Sequence, residues 1–154
     1  MDTLFELRSD ADLRRDAIAK NEIRIHDVLL GRGPWELTES QRRLLECLRG
    51  RQGRLQAVSI NDLVAKLGSE ARSIKANVRE LVVTFGLPIV ASRDSDHGGY
   101  YFAVSAEERI AGSANYLQEA VKLIRRAAIV RNEIDMNALL GQVALELRQN
   151  EEGK

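Results

Sequence analysis

Apolar residues recur at helical spacing along the first part of the chain, and polar capping residues stand where each helix would begin. Ser9 is placed as the N-cap of the first such stretch, residues 9–30, and the Gly-Arg-Gly-Pro sequence that follows ends it. Thr38 and Gln41 form a Thr-x-x-Gln capping box ahead of the next stretch. The pattern therefore predicts a second helix that ends near Gly50.

Two further helices are predicted within residues 59–85, joined by a short turn. Ser59 is placed to cap the first helix and Ser69 to cap the second, with Gly68 in the turn. Ahead of them, residues 55–58 are predicted to be a short extended piece. The second helix has the clearest amphipathic pattern, because its apolar residues recur at i, i+3, i+4 and i+7. These residues are Ala71, Ile74, Val78, Leu81, Val82 and Phe85.

The hydrophobic period changes from helical spacing to alternation after Pro88, which ends the preceding helix. Residues 89–92 and 100–104 are rich in β-branched and aromatic side chains, and the polar, glycine-containing residues 93–99 separate them. This arrangement predicts a β-hairpin. The predicted fold class is therefore mainly α with a small β-hairpin.

A long helix is predicted after the hairpin, beginning at a second capping box formed by Ser105 and Glu108. Its apolar residues form a seam with alternating spacings of four and three, and Asp135 is placed to cap a last helix. The seam either packs on the helix of residues 9–30 or pairs with another chain. We favour a homodimer, because flanking helices without a core of their own need apolar cover. The residues predicted to mediate oligomerisation are Ile110, Leu117, Val121 and Ile124.

Residues 58–68, followed by residues 71–81, resemble a helix-turn-helix. The Gly-Leu-Pro-Ile sequence of residues 86–89 and the Gly-Tyr-Tyr-Phe sequence of residues 99–102 are similar to the wing of biotin-repressor-like and DeoR-type winged helix-turn-helix domains. The resemblance covers residues 38–104. In its small size and lack of an effector domain, the chain is also similar to small regulators, including those of phages and prophages.

The resemblance implies a winged helix-turn-helix core flanked by N- and C-terminal helices. We therefore expect an N-terminal helix and linker over residues 1–34. The winged helix-turn-helix domain is expected over residues 35–104, and a C-terminal helical extension, with a possible role in dimerisation, over residues 105–154.

The resemblance also implies double-stranded DNA as the partner and a role as a sequence-specific transcriptional regulator. In such domains the second helix of the motif enters the major groove, and the wing touches the adjacent backbone or minor groove. At 100° per residue, the face opposite Ile74 is the one turned to the groove. Asp94 and Asp96, beside the wing residues, would repel phosphate. The residues predicted to contact DNA are Ser69, Arg72, Ser73, Lys75, Ala76 and Arg79 on the helix, with Arg93 and His97 in the wing.

Positive charge is concentrated in the middle of a chain that is neutral as a whole. The 23 Lys and Arg balance 23 Asp and Glu, but residues 38–105 hold ten basic against seven acidic side chains. Residues 41–55 contain five arginines and one glutamate. Such a density suits a phosphate backbone if these arginines share a face.

Other features of the sequence narrow the class of protein. One cysteine cannot form an internal disulfide, and no basic stretch followed by an apolar run opens the chain, so we expect a cytoplasmic protein. No apolar stretch approaches the roughly 20 residues that span a bilayer, so no membrane partner is expected. His26, Cys47 and His97 lack zinc-ligand spacing, and no phosphate-loop motif is present. We therefore expect no metal, no cofactor and no enzymatic activity.

Two alternative functions remain open for a winged helix. The first is a protein–protein adaptor, in which the wing or the seam grips another protein and the arginines are incidental. The second is a non-specific DNA-binding accessory protein of replication or packaging. Salt distinguishes them, because phosphate binding weakens steeply as salt rises and apolar docking scarcely changes.

Overall fold

The computed structural model describes residues 8–94, 96, 98–132 and 135–152. Within them the protein is mainly α-helical with a two-stranded antiparallel sheet, which confirms the predicted fold class. The chain forms two compact units, unit 1 (Met1–Gly112) and unit 2 (Ser113–Lys154), and the predicted domain limits stay predictions. The elements in chain order are α1 (Asp10–Leu29), α2 (Glu39–Leu48), a 3-10 turn (Arg54–Gln56), α3 (Ile60–Leu67), α4 (Ala71–Val83), β1 (Ile89–Ser92), β2 (Gly99–Phe102), α5 (Ala106–Arg131) and α6 (Met136–Glu152).

Side-chain caps confirm three of the predicted helix starts in unit 1. Ser9 Oγ accepts a hydrogen bond from the backbone N–H three residues on, at 3.2 Å, at the start of α1. Ser59 Oγ does the same at 3.1 Å at the start of α3. Thr38 and Gln41 form the capping box of α2 in both directions. Each cap satisfies an N–H group that has no partner within the helix, so these helices begin where the sequence predicts.

The prediction that Ser69 caps α4 is wrong. The N-cap is Glu70, in an extended conformation and without a side-chain hydrogen bond to the helix, and α4 begins at Ala71. Gly68 ends α3 in the left-handed region at φ 63°. The two residues that follow Gly68 form the turn that precedes α4. The helix also ends at Val83, two residues earlier than predicted.

The segment before α3 is not the extended piece that the sequence predicts. Residues 54–56 form a 3-10 turn, and Val58 alone makes a strand-like pairing in the residues 55–58. Its N–H donates to the carbonyl oxygen of Tyr100 at 3.0 Å, and the Tyr100 N–H donates to the Val58 oxygen at 2.9 Å. The backbone conformation here depends on pairing with a residue that is distant in the sequence. Local periodicity does not reveal such a pairing.

The two strands of the hairpin pair in antiparallel register, with Ile89 opposite Phe102. β1 has the predicted bounds, whereas β2 begins one residue earlier and ends two residues earlier than the predicted residues 100–104. The ladder ends after Phe102 because the next residue, Ala103, lies opposite Pro88, which has no N–H to donate. The N–H of Val104 then donates to the Glu108 carboxylate at 2.8 Å, at the start of α5. The hairpin and α5 are therefore joined directly.

The core of unit 1 lies between the first four helices and the hairpin. α4 buries Ile74, Val78 and Leu81, all three on the predicted stripe. Burial of each such side chain contributes about 1.5–3 kcal/mol, so this face of α4 is fixed inward. The whole cluster consists of Ile25, Leu44, Leu45, Leu48, Val58, Leu63, Ile74, Val78, Leu81, Leu87, Ile89 and Phe102.

A buried amide joins α1 to the end of the hairpin. Asn21 is 3% exposed, and its Nδ2 donates to Gln52 Oε1 at 3.0 Å and to the carbonyl oxygen of Ala103 at 3.1 Å. Both bonds compensate the loss of water, so the polar group stabilises the packing of α1 instead of opposing it.

Unit 2 contains the larger part of α5 and all of α6. Ala128 and Leu139 are buried, and Arg131 Nη1 donates to Gln142 Oε1 at 2.8 Å, which links the two helices. Asp135 Oδ1 accepts the backbone N–H groups two and three residues on, at 2.9 and 3.3 Å. The predicted cap of the last helix is thus confirmed.

Candidate nucleic-acid interface

The side of α4 that points away from the core carries most of the predicted DNA-contacting side chains. Because Ile74, Val78 and Leu81 face the core, helical spacing turns the intervening residues outward. Ser69 lies before the helix and is half-buried. The exposed ones among the predicted DNA-contacting residues of α4, here called the α4 face, are Arg72, Ser73, Lys75, Ala76 and Arg79.

The three cations of the α4 face are not neutralised within the described residues. Neither Arg72, Lys75 nor Arg79 forms an ion pair with a carboxylate of that part of the chain. Glu80, on the same helix, accepts a hydrogen bond from Thr84 Oγ1 at 2.9 Å. The α4 face therefore presents positive charge to solvent, where phosphate or the acceptor atoms of guanine can meet it.

Several arginines of residues 41–55 are instead bound within unit 1. Arg42 Nη1 donates to the carbonyl oxygen of Leu29 at 2.9 Å. Arg49 Nε pairs with a Glu22 carboxylate oxygen at 3.0 Å. These side chains tie α2 to α1, so the dense arginine sequence does not form a single face directed at a phosphate backbone.

The hairpin loop carries Arg93, which is exposed. The neighbouring carboxylate of Asp94 pairs with the guanidinium of Arg54, and the Asp94 N–H donates to Ser92 Oγ at 3.2 Å. The paired guanidinium offsets the charge that was expected to repel phosphate next to Arg93. His97 lies outside the described residues, so its predicted contact stays a prediction.

A cleft of about 520 Å³ lies between the α4 face and the hairpin. Lys75 lines it from α4, and Arg93 lines it from the loop. Two cations from different elements thus border one space, which Ser59 and Ser92 also line. The remaining lining residues are Ile60, Ala91, Asp94, Gly98, Gly99 and Tyr100. This arrangement suits an anion such as a backbone phosphate.

The Glu108 carboxylate binds backbone N–H groups at the base of the hairpin. The sequence predicts only part of this role. Ser105 Oγ accepts the Glu108 N–H at 3.1 Å, which is half of the predicted capping box. The carboxylate accepts the N–H groups of Val104 at 2.8 Å and Arg54 at 3.0 Å. The capping pattern places a carboxylate at the start of α5, but nothing in the sequence indicates the contact with residue 54.

Tyr101 is buried in the hairpin and serves packing. Burial raises the pKa of its phenol above the usual value of 10.0, and the nearby Glu108 carboxylate acts in the same direction. The positive charge of Arg54 acts in the opposite direction. The Tyr101 hydroxyl is therefore neutral at physiological pH.

The residues predicted to mediate oligomerisation differ in exposure. Ile110, in unit 1, is exposed. In unit 2, Leu117 and Val121 are exposed and Ile124 is half-buried. Their role in self-association stays a prediction.

The described residues include neither a candidate metal centre nor a candidate membrane span. In residues 8–94, 96, 98–132 and 135–152, no three His, Cys, Asp or Glu side chains lie close enough together to hold a metal ion. None of the helices in these ranges has both the length and the apolar character needed to cross a membrane.

Comparison with known proteins identifies no relative for this chain. No protein-family model, no curated protein and no solved structure matches it. The resemblance to winged helix-turn-helix domains therefore stays a prediction.

Proposed function

We propose that the protein binds double-stranded DNA and acts as a sequence-specific transcriptional regulator in the cytoplasm, with α4 in the major groove and the hairpin as a wing. The observation that supports this most strongly is the set of three cations on the α4 face, none of which forms an ion pair within the described residues. By contrast, Arg42, Arg49 and Arg54 are held by carboxylates or by a backbone oxygen. A helix is about 10–12 Å in diameter with its side chains, which fits a major groove about 12 Å wide.

Residues of the α4 face suit distinct parts of such an interface. Arg72 and Arg79 offer two-pronged donors, which match guanine O6 and N7 or a phosphate. Ala76 lies between them and is small enough to let the helix approach the base edges. Lys75 and Arg93 border the cleft beside the hairpin, where they suit the phosphate backbone.

The proposal includes a homodimer. A single module of this size binds DNA weakly, whereas two copies related by a two-fold axis double the contacts. Many large apolar side chains of unit 2 are exposed, and a second copy would cover them. The dimer would recognise two half-sites about 34–36 Å apart, or a multiple of that spacing.

Substitution of the α4 arginines tests the assignment of this helix. Arg72→Ala and Arg79→Ala should each weaken binding to a duplex selected from a random pool by about 1–3 kcal/mol, with relaxed preference at particular base pairs. Lys75→Ala should weaken binding to all sequences alike and reduce the salt dependence by about one phosphate contact. Fluorescence anisotropy at two salt concentrations measures both effects.

The matched control is Arg15→Ala, which removes an exposed arginine from α1, where it pairs with Asp12 at 3.4 Å. It should leave DNA affinity unchanged. If Arg72→Ala and Arg79→Ala both bind the selected duplex as tightly as the Arg15→Ala variant, α4 is not the reading helix.

A further inference from the structure

α5 carries a second apolar row that its predicted seam does not include. Tyr116, Leu123 and Val130 are 57%, 59% and 86% exposed. Ala120 and Ala127 lie between them and are exposed as well. These five residues, here called the exposed stripe, follow one another at spacings of four and three, which is the repeat of a coiled-coil contact.

The described part of unit 2 leaves the exposed stripe uncovered. The neighbouring seam lies one position further along the helix. Leu117 and Val121 of this seam are exposed, but towards its C-terminal end Ile124 is half-buried and Ala128 is buried. Within the described residues of unit 2, the buried apolar side chains are Ala128 and Leu139. Unit 2 is close to the length of about 40 residues below which a chain rarely folds alone. It therefore needs more buried apolar surface than these two side chains provide.

The sizes of the side chains suit close packing against another helix. The large residues Tyr116, Leu123 and Val130 alternate with the alanines at 120 and 127. Two such rows interdigitate when they run in opposite directions with Leu123 opposite Ala120 of the second copy. Tyr116 then lies opposite Ala127 of the second copy, so that each of these large side chains meets a small one.

The charges beside the exposed stripe select the direction of pairing. Glu119 and Arg126 stand at equivalent positions on one flank of the stripe, seven residues apart, and Arg131 stands on the other flank. In an antiparallel pair, Glu119 faces Arg126 of the second copy, and this contact occurs twice. In a parallel pair, Arg126 faces Arg131 of the second copy, which is repulsive.

We infer that two copies of the chain associate through an antiparallel pairing of their α5 helices along the exposed stripe. This inference names the surface of the proposed homodimer and depends on that part of the proposed function, not on DNA binding. Glu119 already lies 3.1 Å from Lys122 of its own helix, at an exposed position, so it is free to exchange one cation for another.

The test uses sedimentation of the full chain over a range of concentrations, without DNA. Leu123→Glu should shift the dimer to monomer, because it places a charge at the centre of the stripe. The matched control, Ile129→Glu, changes a residue of the same helix that is 79% exposed and lies off the stripe. It should leave association unchanged, and circular dichroism reports that both variants fold.

Charge exchange tests the direction of pairing. Glu119→Arg and Arg126→Glu should each raise the dimer dissociation constant at least about fivefold at low salt, and the double variant should restore it. If Arg126→Glu instead strengthens the dimer and Glu119→Arg has no effect, the helices run parallel and the antiparallel assignment is wrong.

The remaining outcomes distinguish failure of the exposed stripe from failure of the proposed homodimer and from failure of the proposed DNA binding. A dimer that Leu123→Glu leaves intact overturns the exposed stripe but not the homodimer. A wild-type monomer at tens of micromolar overturns both. DNA binding is measured separately, and its absence in an intact dimer overturns only the proposed recognition of DNA.

Discussion

Gly99 lies where the second strand of the hairpin meets the chain ahead of α3. Its φ is +137°, a region that side chains rarely adopt, and an added Cβ would lie 2.0 Å from the carbonyl oxygen of Val58. The close approach permits the two hydrogen bonds between Val58 and Tyr100. A glycine is therefore required here by both conformation and space.

Gly99→Ala should destabilise the protein by at least about 2 kcal/mol, because the methyl group meets backbone that cannot move aside without breaking the Val58 pairing. Denaturant unfolding measures the change. Gly50→Ala is the control, since its Cβ would meet nothing within 4 Å, and it should alter stability by less than about 0.5 kcal/mol. Equal stabilities for the two variants would contradict the packing described for the hairpin.

Burial of Tyr101 makes part of the free energy of unfolding decrease at alkaline pH. Burial raises the pKa of its phenol in the folded state, so the unfolded chain ionises first as pH rises. This contribution is fully present below the unfolded pKa of about 10 and is lost as pH rises through the folded value. Tyr101→Phe should therefore lose less unfolding free energy than wild type between about pH 9 and about pH 11. Equal losses in the two proteins would show that the phenol is not buried as described.

At the scale of elements, local signals predicted the helices well. The caps at Ser9, Thr38 and Ser59 were predictable because each is a contact over three residues, and the buried stripe of α4 was predictable because one helix face must pack on the core. The start of α4 was not predictable in the same way, since Gly68 ends α3 and leaves two residues for the turn.

The structural features that the local sequence pattern failed to predict depend on contacts between residues that are distant in the sequence. The 3-10 turn at residues 54–56 and the Val58 pairing depend on Tyr100 and Glu108, far along the chain. The candidate interface followed from the sequence as far as the exposure of the α4 face. The pairing of Arg54 with Asp94 did not, because the two residues are 40 positions apart.

In unit 2, too, the local sequence pattern does not determine how a helix packs. The sequence gives α5 two adjacent apolar rows, and periodicity alone does not say which one faces its own chain. The structure buries Ala128 of the predicted seam and leaves Leu123 of the exposed stripe accessible. The surface proposed for self-association is therefore one residue away from the one that the sequence favoured.

For the whole molecule, net charge is a poor guide to the proposed partner. The chain is neutral in total, and many of its charged side chains pair with one another. What favours DNA is local: the cations of the α4 face and the cleft between Lys75 and Arg93. The proposed recognition of DNA therefore relies on a specific sequence as well as on phosphate, because a neutral protein gains little from long-range attraction alone.

Selection from random duplex DNA, followed by binding of the enriched pool and a scrambled control at two salt concentrations, tests the proposed function most directly. The account predicts an enriched two-fold motif, tighter binding to it than to the scrambled duplex, and affinity that falls steeply with salt. Salt-sensitive binding without an enriched motif would contradict sequence-specific regulation and favour a non-specific role. No binding at low salt would contradict the recognition of DNA altogether.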